Sequence, residues 1–179
     1  MAITAELHLL LTQPGPAALG PDSRPGTLTQ GDLNRAIEDL FRRHKKPAKS
    51  ELIRSLLLLW HDHLDASHVI SQGIENPDGS LVHGIMHRRE PDYWNSKYWF
   101  RRVGQHPCFA DLAKRAQPLL AGDARLTGQL LPRGEWDAFA FVDAVDAAAG
   151  KPATDARHQL LRQLQQAETE SALAWFQTG

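Results

Sequence analysis

The sequence predicts an all-α protein: a single-domain helical bundle of about six to seven helices with an irregular N-terminal arm. Apolar residues recur at spacings of three and four along most of the chain after residue 27, as they do on one face of an amphipathic helix. Alternating apolar and polar runs, which are typical of strands, are nearly absent. A chain of 179 residues is also long enough to bury a core without disulfides or structural metals.

The N-terminal region, residues 1–26, is expected to be an arm and connector that precedes an all-α domain at 27–179. Residues 13–26 contain seven Pro or Gly in fourteen positions, a composition typical of an irregular connector. We expect the leading segment to pack on the main body or against a second subunit. In the second arrangement the protein would be a homodimer.

The first two predicted helices follow this arm. Thr27 or Thr29 can cap a helix that runs to about Lys45. A second, long helix is expected over residues 50–72. Residues 56–60 of that helix are apolar on every side, which is typical of a helix buried in the middle of a bundle.

Turn residues divide the remainder of the chain into five further helices. They are expected from Ser80 to before Pro91, from Pro91 to about Val103, from about Cys108, over 135–149, and from Thr154 onward. A loop rich in Gly, Leu and Thr is expected before residue 135.

Charge and composition exclude several classes of function. Lys and Arg number 20 against 21 Asp and Glu, so no global field attracts nucleic acid or anionic lipid. The sequence contains neither an 18-residue apolar span nor a targeting segment, so we expect a soluble, cytoplasmic protein with no membrane partner. The single cysteine, Cys108, excludes an intramolecular disulfide and thiolate metal cages. Its closeness in sequence to His106, across Pro107, argues against a Cys–His pair.

One segment has an unusual composition. Six of the nine histidines fall between His61 and His106, and five of the thirteen aromatic residues fall between Tyr93 and Phe100. Histidine, arginine and aromatic side chains supply proton transfer, anion binding and stacking, so their crowding predicts a functional site.

Helical spacing places several of these side chains together. His83, His87 and Glu90 lie within a stripe about 60° wide on their helix. The preceding helix is predicted to carry a second polar stripe, made of His61, Asp65, His68 and Gln72. If the turn at 73–79 makes the two helices antiparallel, His68 comes near His87.

We therefore expect a divalent transition metal, zinc, iron or manganese, bound by His68, His83, His87 and Glu90. Three imidazoles and a carboxylate suit such an ion, and the lone cysteine leaves no thiolate alternative. The competing interpretation is that the two polar stripes form only a hydrogen-bonded helix interface.

Basic and aromatic residues predict an anion-binding wall beside the metal. The expected ligand-binding residues are Asn95, Tyr98, Trp99, Arg101 and Arg102. A planar guanidinium can hold a carboxylate or phosphate through two hydrogen bonds. The competing interpretation pairs both arginines with acidic residues or helix ends. The same run could stack on single-stranded nucleic acid, but the near-neutral charge argues against that partner.

The segment His83–Pro107, HGIMHRREPDYWNSKYWFRRVGQHP, resembles the signature of a protein family of bacteria and fungi. The family pattern is His-x3-His-Arg-Arg-Glu, followed by Asp, Asn, Tyr-Trp and Arg-Arg-x-Gly-x-His-Pro. The stretches SHVISQ at 67–72 and GEWDAFAFVD at 134–143 resemble the same family, so the resemblance covers about half of the chain. Because the family is uncharacterised, the resemblance implies no activity, ligand or catalytic residue.

These observations predict a metal-dependent, hydrolase-like enzyme that acts on a small anionic molecule. Glu90 and His87 are the expected catalytic residues. Two alternatives stay open: a non-enzymatic module that binds an anionic ligand, and a structural or interaction protein in which the polar cluster only fixes helix packing. The sequence does not decide between an enzyme and a non-enzyme.

Overall fold

Ten α-helices and no β-strand are present in residues 2–178, the part of the chain that the computed structural model describes. They are α1 (Ile3–Thr12), α2 (Gln30–Arg43), α3 (Ser50–Trp60), α4 (Leu64–Gln72), α5 (Pro77–Arg89), α6 (Tyr93–Val103), α7 (Cys108–Leu120), α8 (Ala124–Leu130), α9 (Ala138–Asp146) and α10 (Ala156–Gln177). A 3₁₀ turn, Pro132–Gly134, follows α8. The helices enclose one hydrophobic core in a single domain. The all-α prediction is confirmed, but six to seven helices are too few.

The N-terminal arm is helical where the sequence predicts irregular structure. α1 occupies ten residues of it, and Leu7 and Leu11 of that helix are fully buried in the core. This helix begins without a side-chain cap, so the usual sequence signal for a helix start is missing. Residues 13–29 contain no helix or strand, in keeping with their Pro and Gly content.

Side chains from the last helix hold this irregular segment. Arg162 Nε donates to the carbonyl of Ala17 at 3.1 Å, and Gln165 Nε2 donates to the carbonyl of Ala18 at 3.0 Å. The backbone carbonyls of an irregular segment are not hydrogen-bonded within a helix or a sheet, so they need donors from elsewhere, such as these two side chains. The connector is therefore fixed against α10.

The long helix predicted over 50–72 is two helices, α3 and α4, separated at residues 61–63. His61 accepts a hydrogen bond on Nδ1 from the Leu28 amide at 3.0 Å and contacts the Leu10 carbonyl through Nε2 at 2.8 Å. Asp62 has a left-handed backbone (φ 68°), which a continuous helix excludes. The polar stripe predicted to begin at His61 is therefore wrong for its first two residues. His61 binds the N-terminal segment, and Asp65 is exposed.

Other boundaries differ less from those predicted. α5 begins at Pro77, three residues earlier than expected, because Asn76 caps it. α6 begins at Tyr93 instead of Pro91, with the Asp92 side chain as its cap. The expected loop before residue 135 contains α8. None of the described helices combines the length and the apolar character needed to cross a membrane.

The central helix is α5, which contacts α3, α4 and α6. Its residues from Gly79 to Arg89 are all buried. Gly84 lets α6 approach closely, since a Cβ there would lie 3.2 Å from ring carbons of Phe100. Ser96 Oγ adds a hydrogen bond to the Gly84 carbonyl at 2.7 Å. These contacts fix the position of α6 against the helix that carries two of the predicted metal ligands.

Two consecutive arginines anchor α5 to other parts of the molecule. Arg88 forms a two-pronged ion pair with Glu168 of α10, and both side chains are almost completely buried. Arg89 donates to Asp62 at 2.7 Å, and Arg24 of the connector donates to the same carboxylate at 3.0 Å. Successive helical residues point about 100° apart, so the two arginines reach different partners.

We expect Asp62→Asn to lower the free energy of unfolding by about 3 kcal/mol, because it leaves two guanidinium groups without a full counter-charge in a buried site. Asparagine keeps the shape of the side chain and tolerates the left-handed backbone. Urea unfolding followed by circular dichroism measures the loss.

Asp39→Asn is the matched control, since it removes an exposed carboxylate that pairs with Arg42. Its stability should stay close to that of the wild type. Equal stabilities of the two variants would contradict an anchoring role for Asp62.

Candidate metal centre

The structure brings together three of the histidines that the sequence predicts as metal ligands. His68 of α4 and His83 and His87 of α5 each offer a ring nitrogen, and these nitrogens lie within 4.8 Å of one another. The ring centroid of His83 is 4.7 Å from that of His68 and 4.7 Å from that of His87. The turn between α4 and α5 thus brings the two helices together, but His68 lies nearer to His83 than to His87, from whose ring centroid it is 5.3 Å away.

His83 lies at the centre of the cluster. Its ring stacks on His87 with an interplanar angle of 18° and on Trp99 at a centroid distance of 4.0 Å. The residue is 2% exposed, and neither ring nitrogen has a hydrogen-bond partner among the described residues. Buried polar atoms almost always have a partner, so His83 is the least satisfied side chain of the cluster.

His87 is held by contacts at both ring nitrogens. Its Nδ1 lies 3.1 Å from a carboxylate oxygen of Glu90, and its Nε2 lies 3.1 Å from the side-chain amide of Asn95. With Nδ1 as the donor to Glu90, Nε2 carries the free electron pair. Glu90 therefore contacts His87, one of the other predicted ligands. The group of mutually close ligand atoms contains nitrogens of the three histidines and no oxygen of Glu90.

The three nitrogens are near the positions that one ion requires. Points within 4.8 Å of one another all lie within about 2.8 Å of a common point, while zinc–nitrogen bonds are about 2.1 Å long. Each nitrogen then moves by about 0.7 Å or less to reach bonding distance, which small side-chain rotations supply. The nitrogens of the cluster are therefore near the positions of metal ligands, but they do not yet lie at metal–ligand bonding distance from one point.

The predicted anion-binding residues lie at different distances from the cluster. Asn95 touches His87, and Trp99 touches His83. Tyr98 packs edge-on against Trp99 at 5.4 Å, and the Arg102 guanidinium lies over the Trp99 ring at 5.3 Å. These four residues thus form one wall of the site, on α6.

Arg101 and Arg102 are exposed, and neither takes part in the ion pairs found among residues 2–178. The competing interpretation, in which they pair with neighbouring acidic groups, is therefore not what the structure shows. Arg102 is joined to the cluster through Trp99, whereas Arg101 has no such link.

Burial favours the neutral form of two imidazoles in the cluster. Burial, together with the neighbouring imidazoles, lowers the pKa of His83 to about 3. Burial also lowers the pKa of His87, although the Glu90 carboxylate opposes this shift. Both imidazoles are neutral at pH 7, the protonation state in which histidine binds metals.

Sequence reasoning missed a second histidine network. His106 Nδ1 lies 2.9 Å from Cys108 Sγ, although their closeness in sequence argues against a pair. His106 Nε2 donates to Asp78 at 2.8 Å, and Asp78 also accepts from the indole of Trp175 at 2.7 Å. Burial raises the pKa of the Cys108 thiol, so this cysteine stays protonated and unreactive.

Comparison with known proteins adds no family to this description. No protein-family model matches the chain, and no curated protein and no solved structure is significantly similar to it. The resemblance of residues 83–107 to a bacterial and fungal family stays a prediction.

We expect the metal-free protein to lose stability as the pH falls from about 6.5 towards 3. In that range the unfolded chain protonates residue 83 while the folded protein does not, because an unfolded histidine has a pKa near 6.5. His83→Phe keeps a flat ring against Trp99 but cannot bind a proton. Between pH 7 and pH 4.5 it should lose less stability than the wild type, by on the order of 2 kcal/mol.

Urea unfolding at several pH values, after treatment with a chelator, measures this difference. His8→Gln is the control, because it removes an exposed imidazole far from α5 in sequence. Parallel pH profiles for the wild type and His83→Phe would contradict the assignment.

Proposed function

We propose that the protein binds a divalent transition metal through His68, His83 and His87 and uses it to hydrolyse a small anionic substrate. The observation that supports this most directly is the burial of His83, whose ring nitrogens have no hydrogen-bond partner among the described residues and lie next to two further imidazoles. Three histidine ligands leave a fourth position open for water or substrate, as in catalytic zinc sites. A bound metal would polarise a carbonyl or phosphoryl oxygen and make its water more acidic.

Glu90 has a supporting role in this proposal. By accepting a hydrogen bond from Nδ1 of His87, its carboxylate would fix the orientation of the ring and leave the electron pair of Nε2 available to the metal. The Asn95 amide, now in contact with Nε2, would yield that nitrogen to the metal. The carboxylate side chain is 32% exposed, so it can also exchange a proton with water beside the site.

The α6 wall suggests how an anionic group is held. Arg102 lies on the exposed side of Trp99, whose ring covers His83. This guanidinium could bind a phosphate or carboxylate at the Trp99 side of the cluster, and no acidic partner competes for it among the described residues. Arg101, one residue earlier, adds positive charge to the same end of α6.

We expect the untagged wild-type protein to bind one zinc, iron or manganese ion per chain and to melt at a higher temperature with the metal than without it. His83→Phe should lose the bound metal because it removes the central ligand. His8→Gln should retain it. Elemental analysis after dialysis measures the stoichiometry, and differential scanning fluorimetry measures the shift in Tm.

Two results would overturn this proposal. A chain that binds none of these metals, with no rise in Tm, favours the alternative in which the histidines only fix helix packing. Metal retention by folded His83→Phe would place the ion elsewhere. The enzymatic part further requires the metal-loaded protein, and not the metal-free form, to hydrolyse a panel of phosphate- and carboxylate-bearing esters.

We expect Glu90→Gln to weaken zinc affinity by about 10- to 100-fold without changing the stoichiometry, because the glutamine orients His87 less firmly. Competition with a chelator of known affinity measures the change. Glu75→Gln, at an exposed position before α5, should bind zinc as the wild type does. Complete loss of zinc would make Glu90 a direct ligand, and unchanged affinity would remove it from the site.

A further inference from the structure

Two aromatic rings of α6 are exposed to solvent. Trp94 is 78% exposed, the highest value for a large hydrophobic side chain among the described residues, and Tyr98 is 38% exposed. Their ring centroids are 6.4 Å apart, and their planes are within 14° of parallel. Apolar side chains of this size are normally buried, so exposed rings that lie together indicate a surface that another molecule covers.

Two arginines follow these rings on the same helix. Residues 94, 98 and 101 point in directions that differ by at most about 60°, because successive helical residues are about 100° apart. Arg102 lies on the other side of Tyr98 and over the ring of Trp99 at 5.3 Å. Both arginines are about one turn beyond Tyr98, a rise of about 5–6 Å along the helix. A flat ring stacked on Tyr98 would therefore bring an attached anionic group within reach of both guanidinium groups.

The positive charge of these arginines is not neutralised within the protein. Arg101 and Arg102 are exposed, and neither takes part in the ion pairs found among residues 2–178. The third cation of this helix, Lys97, differs from them because it pairs with Asp143 of α9. The exposed rings thus lie beside two cations that remain available to an anionic ligand.

This combination of groups selects a chemical class of ligand. A phosphate monoester carries a charge of about −1.5 to −2 at pH 7, which matches two guanidinium groups, and it offers three acceptor oxygens. A carboxylate offers one charge and two oxygens. Flat heteroaromatic rings stack on aromatic side chains, and nearly parallel rings such as those of Trp94 and Tyr98 can stack on the same ligand ring.

We propose that the exposed face of α6 binds a phosphate monoester that carries a flat aromatic ring system, such as a nucleoside monophosphate. The ring would stack on Trp94 and Tyr98, and the phosphate would accept hydrogen bonds from Arg101 and Arg102. As the substrate class of the metal centre, this ligand rests on the proposed function, whereas its binding to α6 requires no metal. The near-neutral chain offers no long basic track for a nucleic-acid strand, so the face fits a single nucleotide.

Indole N–H resonances of the ¹⁵N-labelled, chelator-treated protein test the proposal. Trp94→Phe identifies the Trp94 resonance among those of the five tryptophans. Adenosine 5′-monophosphate should shift this resonance saturably. Adenosine, which lacks the phosphate, and ribose 5-phosphate, which lacks the ring, should each bind about tenfold more weakly. The resonance of Trp60, which is 2% exposed, should not move and is the internal control.

Variants separate the contributions of charge and ring. Arg101→Gln should weaken binding of adenosine 5′-monophosphate by about fivefold and leave adenosine unchanged, because only the phosphate pairs with the arginine. Arg125→Gln is the matched control, since Arg125 is an exposed arginine of α8 outside the ion pairs of the described residues. Tyr98→Leu should weaken both ligands by about tenfold, and Tyr98→Phe, which keeps the ring, should bind both more tightly than Tyr98→Leu.

The proposal is overturned if adenosine 5′-monophosphate leaves the Trp94 resonance unmoved, if adenosine or ribose 5-phosphate binds as tightly, or if Arg101→Gln binds the nucleotide as the wild type does. A five-nucleotide single strand of DNA that binds more than ten times as tightly would also overturn it, because the face would then recognise a strand. Nucleotide binding by a protein that takes up no metal would contradict only the proposed function. Metal binding without nucleotide binding would contradict only the present proposal.

Discussion

The carboxylate of Asp62 is the interaction on which the rest of the structure depends. It joins a guanidinium from the irregular connector, that of Arg24, to one from the central helix, that of Arg89. Its side chain is 2% exposed, so water can do little to replace either partner. The same residue ends α3 through its left-handed backbone and turns the chain into α4. The direction of α4, and with it the position of His68, therefore depends on the residue that also anchors α5.

The buried ion pairs also shape the electrostatic environment of the histidine cluster, which lies within a basic segment. Arg88 and Arg89 follow His87 directly. Without counter-charges, these two guanidinium groups would repel any further cation at His87, because charges interact strongly in a medium of low dielectric constant. Glu168 and Asp62 neutralise them on other sides of α5. The imidazoles are thereby left to interact with one another and with Trp99, and the positive charge that remains near the cluster is the exposed charge on α6.

The sequence predicts those features whose causes lie close together in the chain. The spacing of His83 and His87 predicts a shared face of α5, and the short turn before Pro77 is enough to bring His68 near them. The break at Asp62 depends instead on contacts with the backbone of Leu10 and Leu28 and with the side chain of Arg24. These partners belong to the N-terminal region, and its composition does not show where its residues lie in space. For the same reason helical spacing shows only that Arg88 points away from the histidines, and its partner Glu168 lies 80 residues further along the chain.

The hydrogen bonds between α10 and the connector affect the order in which the protein folds. Arg162 and Gln165 bind carbonyls of residues 145 to 147 positions earlier, so these contacts close loops that span most of the described residues. Contacts of such high sequence separation are slow to form. During synthesis the connector leaves the ribosome before its donors on α10 do, and it lacks them until α10 has followed. Helices α3 to α6 can associate earlier, but the native fold forms only when α10 has bound the connector.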